Sequence, residues 1–229
     1  MIFKQVLALA ALTAGLGAVG TSNAVVVYSQ DFAGGSSSGF TTNSLWHVTS
    51  NFGGSSGFAL GYVRNETQPS AIPDGNYDTG VTNSGTALSP GIVIPGSGAT
   101  TLTLKAFNHN EFGDAPDFFD RLRVSVSTDG GATSTILAST SPADGASQVT
   151  FPYWTGADVY QNLVLDLTSF DGMTINLLFG YDTLDSLDNN HPGARITDIA
   201  INGTPEPGTM LNLALGLVAL GWLGRRKAA

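Results

Sequence analysis

The 229 residues contain no cysteine, and only nine lysines and arginines stand against eighteen aspartates and glutamates, a formal net charge of −9. Without cysteine the fold has no disulfide staples and must rest on packing, with room for a bound ion, and no thiol can act as a nucleophile. Basic residues are scarcer still in the middle of the chain. Lys4, Arg225, Arg226 and Lys227 lie near the two ends, as does Glu206, so residues 25–204 hold five bases against seventeen acids, a net charge of −12. Nucleic acid and anionic membrane surfaces are therefore poor partners. Catalytic signatures are missing too: there is no Gly-x-Ser-x-Gly elbow, no His-Glu-x-x-His pair and no P-loop. His47, His109 and His191 fall in separate segments; His109, beside Asn110-Glu111, and His191, after Asn189-Asn190, could share one loop end of a sandwich but read as exposed polar loop residues.

Helical periodicity is almost absent between residues 25 and 204, a length that fits one domain able to bury a core. Long apolar runs occur only at the two ends. Met1 to Ala24 has Lys4 as its basic start, an apolar stretch from Val6 to Val19, and Ser22-Asn23-Ala24 as a small-x-small site. This predicts a secretory signal peptide cleaved after Ala24. At the other end, Pro205-Glu206-Pro207 precedes an uncharged apolar run from Met210 to Gly224, then Arg225-Arg226-Lys227. As a helix that run would be about 22 Å long at 1.5 Å per residue, short for a membrane core of about 30 Å. Thr209 and Gly208 extend it and the basic side chains snorkel, so it is expected to span, with the basic cluster in the cytoplasm.

This order of Pro-Glu-Pro, apolar helix and basic cluster resembles the PEP-CTERM sorting signal of Gram-negative bacteria. The resemblance implies recognition by a membrane transpeptidase of the exosortase type. It also implies an inner-membrane-anchored precursor, processing close to Pro205, Glu206 and Pro207, and delivery to the cell surface or the extracellular polymeric matrix of a biofilm. The expected organisation is a signal peptide over 1–24, a β-sandwich over 25–203 and a sorting signal over 204–229.

Between the ends, short alternating or apolar runs are cut by Gly, Asn, Asp, Ser and Pro, the pattern of antiparallel strands joined by turns. Strands are expected at 25–30, 46–49, 59–62, 85–88, 100–107, 121–127, 135–138, 161–166, 174–181 and 195–202. A hairpin turn is expected at Thr128-Asp129-Gly130-Gly131 and a single helical turn within 167–172. Ten such segments predict an all-β, two-sheet sandwich.

Several of these runs stand in a recognisable order: Gly85-Thr86-Ala87-Leu88-Ser89-Pro90, then Phe119 to Gly131, then Val164 to Ile175, then Phe179-Gly180-Tyr181-Asp182. In this order they resemble the jelly-roll domain of the MAM and immune-inhibitor-A-like group. Such domains are non-catalytic adhesion or carbohydrate-binding accessories, often with structural calcium. In the last strand, however, Ala194 and Thr197 replace the tryptophan and one of the acids of the usual pattern.

Two acidic stretches offer oxygen ligands to calcium, which takes six to eight at about 2.3–2.6 Å. Asp182, Asp185 and Asp188 recur every third residue in one; Glu111 to Asp120 forms the other. For each stretch alone, a solvated loop that keeps the protein soluble is the slightly better account. In a jelly roll of the resembling kind the first and last strands are neighbours, which makes Asp31 and Asp198 the expected pair of structural calcium ligands. For sugar stacking, Tyr153 and Trp154 in Pro152-Tyr153-Trp154-Thr155-Gly156 are the loop-like aromatics, whereas Trp46, beside Leu45 and Val48, reads as core. The expected function is that of a non-enzymatic, exported surface or matrix protein whose sandwich binds extracellular polysaccharide or calcium. The alternative is a secreted polysaccharide hydrolase, which needs only two opposed carboxylates.

Overall fold

The alternation of apolar and polar side chains decides the architecture. In the computed structural model, which describes residues 24–96, 98–111, 119–151 and 158–204, thirteen strands form in that span. The first six are β1 (Val25–Gln30), β2 (Thr41–Thr42), β3 (Trp46–Thr49), β4 (Ala59–Tyr62), β5 (Ser84–Leu88) and β6 (Ile92–Val93). Then follow β7 (Thr100–His109), β8 (Arg121–Ser127), β9 (Thr135–Ser139), β10 (Val149–Thr150), β11 (Gln161–Asp166), β12 (Thr174–Asp182) and β13 (Gly193–Gly203). Ten of them coincide with the expected runs, several to the residue. The remaining three, β2, β6 and β10, are two residues long and too short to show a period. The expected helical turn is a 3-10 turn over Thr168–Phe170.

The strands form two sheets, the layers of a jelly-roll sandwich. One runs β11-β7-β13-β4-β3 with β1 added to β13; the other runs β10-β9-β8-β12-β5-β2 with β6 added to β12. Val26–Gly203 forms one compact unit. Leu102, Leu104 and Ala106 of β7 and Ile196, Ile199 and Ile201 of β13 point inward from the first sheet. Leu122, Val124 and Val126 of β8 and Ile175, Leu177, Phe179 and Tyr181 of β12 point inward from the second. Each buried leucine- or isoleucine-sized side chain stabilises by about 1.5–3 kcal/mol. Trp46 is only 2% exposed and packs edge-on to Tyr62 at 5.4 Å, and Tyr62 stacks on Tyr181 at 4.5 Å, so Trp46 is core.

The inward set of β13 skips a beat, with Ala194 and Ile196 followed by Ile199 and Ile201. A strict period of two would turn Ile199 to the outside. The pairing with β7 shifts between Thr197 and Ala200, and Asp198 there adopts φ 50°, so one extra residue is absorbed and the apolar set stays on the core face. At the β8–β9 turn Gly130 and Gly131 take φ 74° and 93°, and Asp129 accepts from the Thr133 amide and hydroxyl and from Ser127. The back of the first sheet carries a smaller cluster in which Phe52 packs on Phe107 and Tyr160, each at 5.0 Å. Beside it is Arg195, which is fully buried and donates to the carbonyls of Asn51, Asp74, Pro192 and Ala194 and to the Asn51 side chain.

Candidate functional site

The outer face of the second sheet is polar where its inner face is apolar. Registered rows cross it: Arg123, Gly180 and Thr86 stand side by side on β8, β12 and β5, and Arg121, Asp182 and Ser84 form the next row. Gly180 leaves the middle of this surface without a side chain, and the result is a cavity of about 270 Å3 lined by Asn43, Ser84, Thr86, Arg123, Gly180 and Asp182 among others. A Cβ at Gly180 would meet only the Cβ of Arg123, at 3.9 Å, so packing does not demand the glycine. The polar groups around it are held in place. Arg123 donates Nε and Nη2 to the Asp144 carboxylate at 2.8 and 3.0 Å, Arg121 reaches the same group at 3.1 Å, and Asp182 lies 3.6 Å from Arg123. Asn43 donates to the Thr86 hydroxyl at 3.0 Å and accepts from the Thr86 amide at 2.7 Å. Burial works against the charge of Asp144, but hydrogen bonds from Arg123 and Ser139 and both arginine charges outweigh it and hold the carboxyl below its usual range. The rim is thus a preorganised set of planar donors and acceptors suited to vicinal hydroxyls.

Asp31 and Asp198 come together where β1 runs beside β13, and both line a cavity of about 300 Å3 with Ser29, Gln30 and Ser55. Asp198 is already engaged there: Lys105 Nζ stands 2.8 Å from Oδ2, and the Ser55 hydroxyl and amide donate to Oδ1. Asp31 caps the following turn by accepting from the Ala33 amide at 3.0 Å. Asp182 lies on the face described above. Asp185 and Asp188 belong to the β12–β13 connection, in which Asp188 stands 3.4 Å from His191. Among the described residues no group of three or more His, Asp or Glu side chains is spaced as a ready metal ligand set. Ala24 is exposed, directly before β1. Tyr153, Trp154, Pro205, Glu206, Pro207, Arg225, Arg226 and Lys227 lie outside the described residues. Among the described residues no helix is long and apolar enough to cross a membrane.

Past β13, the sequence from residue 204 matches a family model along nearly all of its remaining length. Residues 204–227 are a PEP-CTERM protein-sorting motif. The PEP-CTERM motif implies an exported precursor anchored in the membrane of a Gram-negative bacterium. Among curated proteins none matches the chain. Three of the solved structures similar to it are the following. TmCBM61 in complex with beta-1,4-galactotriose is 13% identical, with 75% of this chain and 93% of that chain covered and a TM-score of 0.46. The K1 cleaved adhesin domain of Lys-gingipain from Porphyromonas gingivalis W83 is 13% identical over 77% and 98%, with a TM-score of 0.47. The CBM22-1 xylan-binding domain of Paenibacillus barcinonensis Xyn10C is 11% identical over 82% and 99%, with a TM-score of 0.45.

The face around Gly180 was missed by motif reasoning, since Arg123, Thr86 and Asn43 carry no signature. One signal was present: a glycine inside the otherwise bulky run Leu177-Leu178-Phe179-Gly180-Tyr181, where a strand interior has little reason to hold one unless something approaches its backbone.

Proposed function

We propose that this is a non-catalytic, exported matrix or surface protein, carried outward through its PEP-CTERM motif and processed there by an exosortase-type transpeptidase, whose sandwich binds extracellular polysaccharide over Gly180. The observation that carries the binding reading is the cavity of about 270 Å3 on an open sheet face, floored by a glycine and rimmed by Arg123, Asp182, Asn43 and Thr86. Sugar hydroxyls donate and accept at once, and arginine and carboxylate groups with fixed planar geometry match neighbouring pairs of them. The strongly acidic body disfavours polyanions, so a neutral polysaccharide is the ligand class.

Gly180→Val tests this. The residue is in extended strand geometry with free space above it, and valine favours strands, so the variant should melt at or above the temperature of the parent while its γ-carbons fill the cavity. Affinity electrophoresis in gels containing neutral glucans, xylans, galactans or mannans should show retardation of the parent by at least one of them, with at least a tenfold loss in the variant. Equal retardation of both proteins would contradict the site, and no retardation of the parent on any neutral polysaccharide would contradict the function.

A further inference from the structure

Exposed aliphatic side chains gather at the end of the sandwich from which β13 leaves. Val26 is 62% exposed, Val93 68% and Met173 45%. They belong to separate stretches that the fold joins. A Cβ at Gly203, the last residue of β13, would lie 3.4 Å from Val27 and 3.5 Å from Pro95, so the start of β1 and the exposed Pro95 flank the point where the strand ends. Val93 pairs with Thr174, the Ile94 amide donates to the Met173 carbonyl at 2.8 Å, and the Gly172 amide donates to the carbonyls of Ile94 and Pro95, each at 3.2 Å. Val26, Pro95, Val93 and Met173 thus border the exit of the chain as one apolar rim. Ile92, Ile94 and Ile175 beside them already fill the core, so packing does not call for aliphatic side chains at the outward positions. Grouped apolar side chains left in water point to a partner.

Charge is distributed the other way. β12 runs from Thr174 at this end to Asp182 at the other, about 27 Å away at 3.4 Å per residue. Glu111, Asp120, Asp185 and Asp188 lie on the connections beyond that far end. Toward the apolar end stand Asp129, Asp166 and Asp171, each held by local hydrogen bonds, from Thr133, Thr168 and Thr100 respectively. Residues 204–209 join Gly203 to the apolar run that starts at Met210, and fully extended they bridge at most about 25 Å. The end tied closest to that run is therefore the apolar one.

We infer that Val26, Pro95, Val93 and Met173 form a lipid-docking foot, on which the sandwich stands against the membrane while the precursor is anchored. The inference rests on the reading of Met210 to Gly224 as a membrane span. Side chains of this kind enter the boundary between headgroups and acyl chains by about 5–10 Å. Four of them alone bind weakly, but a short tether makes the contact intramolecular and raises its effective concentration. The strongly acidic end then points away from anionic lipid, and the chain after Gly203 is held beside the membrane face.

Because the chain has no cysteine, a single introduced cysteine can carry an environment-sensitive nitrobenzoxadiazole label. Val93→Cys and Met173→Cys sample the foot. Leu187→Cys is the control, since Leu187 is 67% exposed and lies at the opposite end. The labelled full chain is reconstituted into vesicles of phosphatidylcholine and phosphatidylglycerol, and flotation reports anchoring. Labels at positions 93 and 173 should shift to the blue and be quenched several-fold more strongly by nitroxide-bearing lipids than the label at 187. Adding Val26→Asp to the Val93→Cys chain should remove most of that difference while flotation persists. Flotation with equally weak quenching at 93 and 187 would overturn the foot and leave the span standing, whereas no flotation would overturn both. A blue shift at 93 without lipid quenching, accompanied by disulfide formation between copies of Val93→Cys, would assign the surface to a second copy of the chain and overturn lipid docking.

Discussion

Asp144 shows how far a single side chain can be traced to its consequences. It lies on the 3-10 turn Pro142–Asp144, accepts from Arg121, Arg123 and Ser139, and so fixes the guanidinium on the rim of the Gly180 cavity. Its folded pKa is depressed, so the unfolded chain binds the proton more readily. The stabilisation is therefore complete above the unfolded value near 3.9 and fades as pH falls through the lower, folded value. Replacing Asp144 with Asn should cost about 2 kcal/mol at neutral pH and flatten the fall of melting temperature below pH 4. Melting curves between pH 2.5 and 7 check this; an acid limb of unchanged steepness would assign the acid sensitivity to other carboxylates. None of this was legible in the sequence, because Arg121, Arg123 and Asp144 are brought together only by the β8–β9 pairing. Arg195 was hidden for a related reason: a lone arginine in a strand reads as solvent-facing, and only the segment carrying Asn51 and Asp74 closes over it.

At the scale of elements the sequence was far more open. A period of two reports directly which face of a strand meets the core, and β7, β8 and β12 hold that period over most of their length; expected and observed boundaries there agree to within two residues. Two-residue strands hold no period, which is why β2, β6 and β10 escaped. The bulge in β13 is visible in retrospect as the three-residue step from Ile196 to Ile199. Where backbone approaches backbone, glycine is obligatory. Gly193 opens β13 at φ 77°, and a Cβ there would run into the Tyr62 carbonyl oxygen. Gly193→Ala combines left-handed strain of about 1–2 kcal/mol with a clash against backbone that cannot move aside, so it should destabilise by about 3 kcal/mol in all and lower the denaturant midpoint accordingly. Gly57, also at positive φ but with open space at its Cβ, supplies the control: Gly57→Ala should cost only the conformational share. Equal losses in the two variants would mean that the Tyr62 contact adds nothing.

For the whole molecule, the C-terminal sorting motif and the acidic composition were legible from residue types alone, since sorting is read from a short linear pattern. The face around Gly180 was not, since it joins residues from four segments distant in sequence, Asn43, Ser84 with Thr86, Arg123, and Gly180 with Asp182. We propose that the PEP-CTERM motif delivers the sandwich outward and that the face over Gly180 holds it in the polymer. Fractionation of producing cells into inner membrane, extracellular matrix and medium, with the mass of the protein measured in each, tests that statement most directly. The parent should be found in the matrix without its terminal segments, Glu206→Gln should stay in the inner membrane at the mass of the precursor, and Gly180→Val should be processed but escape to the medium. Processing of Glu206→Gln at the normal rate, together with Gly180→Val retained in the matrix like the parent, would contradict both halves of the account.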